Sequence, residues 1–131
     1  MLELTVETEQ RSQAVNLTRR INRMLDKMDG KPVGLHLWVP HTTAGITVNE
    51  SADPAVMEDL IHRLEEVIPW EGNYDHIEDN AAAHIKSMLL GSHQWVPVAE
   101  GELNLGRWQG IFFLEWDGPR TRTVQVQVDS G

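Results

Sequence analysis

An α+β fold in a single domain over residues 1–131, with a mostly antiparallel, sandwich-like sheet and two to three helices, is what the sequence predicts from three features. Apolar residues recur at helical spacing in three stretches, they alternate with polar ones in several others, and residues 94–128 are almost wholly of the second kind. At 131 residues, 40% of them hydrophobic, the chain has the size and apolar content of one compact core.

Leu2, Leu4 and Val6 alternate with Glu3 and Thr5 as a first strand. Ser12 is placed to cap a helix whose stripe is Ala14, Leu17, Ile21, Met24, Leu25 and Met28, stopped by Asp29-Gly30. Val33 to Val39 reads as a strand closed by Pro40. Thr43 to Glu50 reads as another, with Gly45 marking either a bulge or a close approach to the backbone. Asp53-Pro54 opens a second helix with Met57, Leu60, Ile61, Leu64, Val67 and Ile68 inward, and Pro69 ends it. Residues 70–79 show no period and read as a loop, with turn composition at Glu71-Gly72-Asn73-Tyr74-Asp75. Asn80 then caps a shorter helix ending at Gly91, with Ile85, Met88 and Leu89 inward. Strands follow at 94–98, within 108–116, and at 121–128, where Val124, Val126 and Val128 share one face. Trp108 and Trp116 are read as core or interface residues.

Composition narrows the chemistry. There are six histidines and no cysteine, so metal or nucleophile chemistry rests on imidazole, carboxylate, hydroxyl and amide groups, and a disulfide framework is excluded. The net charge is −9, and residues 50–79 hold ten carboxylates against the single cation Arg63. Such a field repels phosphate backbones, which predicts no nucleic-acid partner. No apolar run approaches the roughly 20 residues of a membrane helix, and the first residues lack an export signal, so the expectation is a cytoplasmic protein with no membrane partner. Neither a phosphate-cradling Gly-x-x-x-x-Gly-Lys phrase nor a Gly-x-Ser-x-Gly nucleophile turn occurs. The acids Glu58, Asp59, Glu65 and Glu66 fit the wet face of the second helix.

Three histidines stand in polar phrases that a small core does not require: His41 before Thr42 and Thr43, His76 after Asn73-Tyr74-Asp75, and His84 beside Ser87. His76 and His84 lack the spacing that puts two ligands on one helix face, so a shared site has to be made by folding. Three imidazoles with an open position suit a divalent metal, zinc first, whereas carboxylates with water suit magnesium or manganese. Glu50, Asp75 and Asp79 are candidates for ligation or for orienting a histidine.

The phrases His41-Thr42-Thr43-Ala44-Gly45-Ile46-Thr47-Val48-Asn49-Glu50, Gly72-Asn73-Tyr74-Asp75-His76, Ala83-His84-Ile85-Lys86-Ser87, Leu90-Gly91-Ser92 and Gly106-x-Trp108-Gln109-Gly110-Ile111 together resemble the YjbQ-like family, also labelled secondary thiamine-phosphate synthases. The resemblance spans nearly the whole chain and departs at Met88 and His93, where the family phrase has small polar residues. It implies a homotrimer with its histidines and acids in a pocket near a subunit boundary. It implies an enzyme joining an aminopyrimidine diphosphate to a thiazole phosphate, a small phosphorylated metabolite pair, with loss of pyrophosphate. Carried over by position, His41 and Glu50 are the catalytic candidates, and His41, His76 and His84 the metal ligands. Thr42, Thr43, Asn49, Ser87 and Gln109 line the substrate, and Lys86, Arg107 and Arg120 are the cations available to its phosphates. Two other readings fit the same residues: a metal-dependent hydrolase of a small phosphorylated or acyl substrate, and a non-catalytic trimer binding a small ligand.

Overall fold

Strand β7 (Gln109–Glu115) is the backbone of the architecture, because its run Ile111-Phe112-Phe113-Leu114-Glu115 is buried on both faces. In the computed structural model, which describes residues 1–131, β7 is flanked by β2 (Gln13–Asn16) and β4 (Ala44–Glu50) in a three-stranded sheet. A five-stranded sheet has the order β1 (Leu2–Glu7), β8 (Thr121–Asp129), β3 (Gly34–Trp38), β5 (His93–Ala99) and β6 (Glu102–Leu103). Every strand pair is antiparallel. The helices are α1 (Thr18–Asp26), α2 (Ala55–Val67) and α3 (Ala81–Leu90).

The main core lies between the sheets. Leu4, Val6, Leu35, Leu37, Val96, Val124 and Val126 meet Ala44, Ile46, Ile111 and Phe113, and Leu17, Ile21 and Leu25 add the apolar stripe of α1. The opposite face of β7 presents Phe112, Leu114 and Trp116 to Met57 of α2 and Ala83 of α3 as a second cluster. Period-two alternation thus gives two cores to one strand, which is why its sequence is a continuous apolar run.

Four local expectations are corrected. The first helix begins at Thr18, not near Ser12, because residues 13–16 pair with β7 and Asn16 Oδ1 accepts from the Thr18 amide and hydroxyl. Asn80 precedes α3 but its carboxamide donates to Asp117 Oδ2 at 2.9 Å rather than capping the helix. On α2 only Met57 is fully buried, with Leu60, Ile61 and Leu64 half-buried and Val67 68% exposed, because a single edge of the second cluster receives it. On α3 the inward face is Ala81, Ala82, Ala83, Lys86 and Ser87, whereas Met88 and Leu89 are 77% and 64% exposed. The reason is close approach. The Ser87 hydroxyl donates to the Ala44 carbonyl at 2.6 Å, and a Cβ on Gly45 would sit 2.6 Å from the Gly91 carbonyl oxygen, so only small residues fit under the helix. Of the two roles expected for Gly45, close approach is the one realised. The acids Glu58, Asp59, Glu65 and Glu66 all lie on the exposed face of α2. No helix is long and apolar enough to cross a membrane.

Candidate functional site

The loop between α2 and α3 folds on itself around Tyr74. Its hydroxyl donates to the Pro69 carbonyl at 2.6 Å, Gly72 lies flat against its ring, and Glu65 Oε1 accepts from the Trp70 amide at 3.0 Å. These contacts set the wall of a cavity of about 400 Å³ lined by Trp70, Glu71, Gly72, Tyr74, His76, Asp79 and Ala81. The loop also returns His76 to the first turns of α3, where it meets His84 edge to face with ring centroids 5.0 Å apart. Glu78 Oε2 lies 3.9 Å from His76 Nε2. Asp79 enters the helix with φ +61°, a left-handed conformation that aspartate tolerates better than most residues, at a cost of about 1 kcal/mol. Between Asp79 and Ala81, Asn80 keeps its Oδ1 buried with no partner in the chain. A buried acceptor left open is a group that a ligand donor can satisfy.

His41 stands elsewhere. Strand β8 outlasts β3, whose pairing ends at Trp38 opposite Gln125, and His41 Nε2 accepts the next available amide, that of Thr123, at 3.0 Å. With Nε2 acting as acceptor, the neutral ring carries its proton on Nδ1 and presents a donor. Partial burial, and then the Arg122 guanidinium nearby, hold this imidazole below its ordinary pKa, so the neutral donor persists. That geometry suits an anion better than a metal ion.

The remaining candidates divide between structure and surface. Thr43 is buried, its Oγ1 accepting from Arg122 at 2.8 Å, and Ser87 is buried on the Ala44 carbonyl, so both hydroxyls are committed inside the fold. Lys86 is buried and paired to Glu65 Oε2 at 3.0 Å, which withdraws it from phosphate binding. Thr42 is exposed beside His41. Glu50 accepts from the Ala52 amide, Asn49 from the Glu50 amide, and Gln109 from the Gly106 amide, all at one end of the β4–β7 ladder. Glu50 faces a groove shared with Ser12, Asp53 and Glu58. His41 precedes β4 and Glu50 ends it, and seven strand residues separate such positions by roughly 20 Å. One chain therefore does not bring His41 and Glu50 to a common atom. Nor do any three histidine or carboxylate side chains converge as a metal-binding group; the fold unites only His76 and His84 of the expected three.

Sequence reading missed the buried assembly beside His41. Arg122 donates through Nε and Nη2 to Glu115, which also accepts from the Thr8 hydroxyl and the Asp117 amide. Burial pushes the Glu115 carboxyl up, and these donors outweigh it and hold the group below the usual carboxylate range. A signal was present: Arg122 shares the inward phase of Val124 and Val126, and a charge at such a position requires a buried partner.

The family described as "UPF0047 protein YjbQ-like" matches residues 2–130. The chain belongs to this YjbQ family. It is 45% identical over 126 residues to the UPF0047 protein YugU of Bacillus subtilis, covering 95% of this chain and 96% of that one. It is 42% identical to a UPF0047 protein of Methanocaldococcus jannaschii, covering 98% and 93%. Among solved structures, the fold is similar to an uncharacterized conserved YjbQ/UPF0047 protein of Clostridium acetobutylicum, with TM-score 0.93, 41% identity and coverage of 98% and 99%. It is also similar to a conserved hypothetical protein of Thermus thermophilus, with TM-score 0.90, 43% identity and coverage of 98% and 99%. The YjbQ family is thus one of uncharacterised proteins that share this α+β fold.

Proposed function

We propose that this YjbQ-family protein is an enzyme acting on a small phosphorylated heteroaromatic metabolite at the His76–His84 pocket. In its sharpest form the reaction is of the thiamine-phosphate synthase type, joining an aminopyrimidine diphosphate to a thiazole phosphate. The observation that carries this reading is a cavity walled by Trp70 and Tyr74 and edged by Glu71, Asp79 and His76, whose imidazole in turn meets the ring of His84. Flat aromatic walls suit a planar ring, and the carboxylates of Glu71 and Asp79 suit its amino hydrogens.

The same pocket is poor in positive charge, so a divalent ion, zinc or else magnesium or manganese, belongs to the proposal. When bound it would offset the charge of the departing pyrophosphate. His76 and His84 are the imidazoles this chain offers it, and since no third donor joins them within the chain, the set is completed in a homotrimer by a neighbouring copy. Ile77, Met88 and Leu89, exposed around the two histidines, are the apolar residues that such a boundary would cover. The chain's own contribution is positional: Trp70 and Tyr74 hold the ring, and His41, with its Nδ1 donor, serves an anionic group carried by the assembly.

The test is incubation of the purified protein with both phosphorylated precursors, with and without a chelator and with each divalent ion restored. Coupled product that requires both precursors supports the reading. Absence of product with every ion overturns it, and hydrolysis of one precursor alone transfers the site to the hydrolase class.

A further inference from the structure

On the solvent face of the five-stranded sheet, His36 Nδ1 and His93 Nε2 lie 3.0 Å apart. Their ring planes differ by 13° and their centroids are 5.3 Å apart. That separation equals the N···N distance extended by the two ring radii, so the rings are edge to edge in one plane and both nitrogens lie on the line between the centroids. The gap does not suit a metal ion: its midpoint lies at half of 3.0 Å from each nitrogen, against the roughly 2.0 Å of a metal–imidazole bond, and an ion displaced sideways to bonding distance would lie well off both lone pairs, which point along the line. A single proton fits it.

We propose that His36 and His93 form a proton-sharing pair that binds a small oxyanion, a carboxylate or a phosphate monoanion, with uptake of one proton. The pair has four ring nitrogens. When neutral it holds two protons, one of them in the bridge, so His36 Nε2 and His93 Nδ1 divide into one donor and one acceptor. One added proton makes both of them donors and puts a single positive charge across the two rings. An oxyanion is recognised by that state and not by the neutral one.

The surroundings fit. His36 and His93 line a cavity of about 420 Å³ with Trp38, Gln125, Gln127 and Met1. Strand register sets His36 against Gln127 and Trp38 against both Gln125 and His93, so these side chains share one face. The two carboxamides offer further N–H donors. The charged groups on this face are Glu3, opposite Gln125 on β1, the α-amino group of Met1, and Asp129 on β8. Asp129 accepts from the Gly131 amide on one oxygen and from the Trp95 indole on the other, each at 3.0 Å, and its charge interacts with that of His36.

The test uses inorganic phosphate and acetate as probes, titrated calorimetrically in buffers of different ionisation enthalpy, with the histidines followed by ¹⁵N NMR. Binding of either probe should take up one proton and weaken about tenfold per pH unit above the point where the free pair loses its extra proton. His93→Ser and His36→Gln, both on the exposed sheet face, should abolish the linkage with the fold intact by circular dichroism. A ¹⁵N–¹⁵N coupling between His36 Nδ1 and His93 Nε2 should be present. Absence of that coupling, or probe binding that is independent of pH and unchanged in His93→Ser, overturns the proposal. Because neither readout involves the phosphorylated precursors, its failure is separable from failure of the enzyme reading.

Discussion

Arg122 of β8 and Glu115 of β7 meet through a two-pronged ion pair in the interior, and this contact clamps the five-stranded sheet to the three-stranded one. Both side chains are almost wholly buried, and Thr8, Thr43 and the Asp117 amide occupy the lone pairs and protons that remain. Removing one partner of such a pair strands the other charge in the core. Glu115→Gln and Arg122→Met should each cost about 3–5 kcal/mol, measured by denaturant unfolding, whereas replacing both with apolar residues should cost much less than the sum.

The same cluster dictates how the fold responds to acid. Folded His41 binds its proton less readily than an unfolded histidine, so below about pH 6.5 the unfolded chain holds more protons and stability falls with falling pH. Folded Glu115 is likewise held below the ordinary carboxylate range, so its contribution is complete above roughly pH 4.3 and is lost as the pH drops through its folded value. Thermal unfolding followed from pH 7 downward should therefore show a mild decline first and a steeper one later. In His41→Gln the first decline should be smaller, and an unchanged profile would remove His41 as its source.

Gly45 tests how α3 is seated. An alanine there would drive its Cβ to 2.6 Å from the Gly91 carbonyl oxygen, a backbone atom that also accepts from the Ile46 amide. Gly45→Ala should cost about 1–3 kcal/mol and loosen the helix that carries His84, read as lower denaturant resistance and faster amide exchange in α3. Ser87→Ala, which leaves the Ala44 carbonyl without its side-chain donor, should cost about 1–3 kcal/mol while leaving ligand binding unchanged, because its hydroxyl points into the fold.

Much of the fold was legible because its signals are local. Alternation at Leu2, Leu4 and Val6 and at Val124, Val126 and Val128, and the Asp53-Pro54 and Asp29-Gly30 boundaries, depend on neighbours in the chain. Strand β2 was not legible, since four residues with no clear period acquire their structure from pairing with β7, and β6 is two residues that turn back to pair with the end of β5. The outward turn of Met88 and Leu89 was misread for a related reason. Hydrophobicity marks what can be buried, whereas the contact of α3 with β4 selected for smallness at Ala82, Ala83 and Ser87. For the site, the histidine phrases pointed to residues but not to distances. His76 and His84 come together through a loop that closes on Tyr74, while His41 and Glu50 fall at opposite ends of β4.

Asp79 separates the pocket's chemistry from the fold's stability. Its φ of +61° is a conformation that glycine adopts freely, and its side chain lines the cavity beside His76. Asp79→Gly therefore removes a carboxylate from the pocket and relieves backbone strain in the same substitution. The variant should unfold within about 1 kcal/mol of the parent chain, whereas its affinity for an aminopyrimidine, measured by quenching of Trp70 fluorescence, should fall at least about tenfold, the loss of one charge-assisted hydrogen bond. His84→Ala should lose coupled product in the two-precursor assay, with no relief of backbone strain. If Asp79→Gly binds the ring as tightly as the parent, the cavity beside His76 is not where the substrate sits.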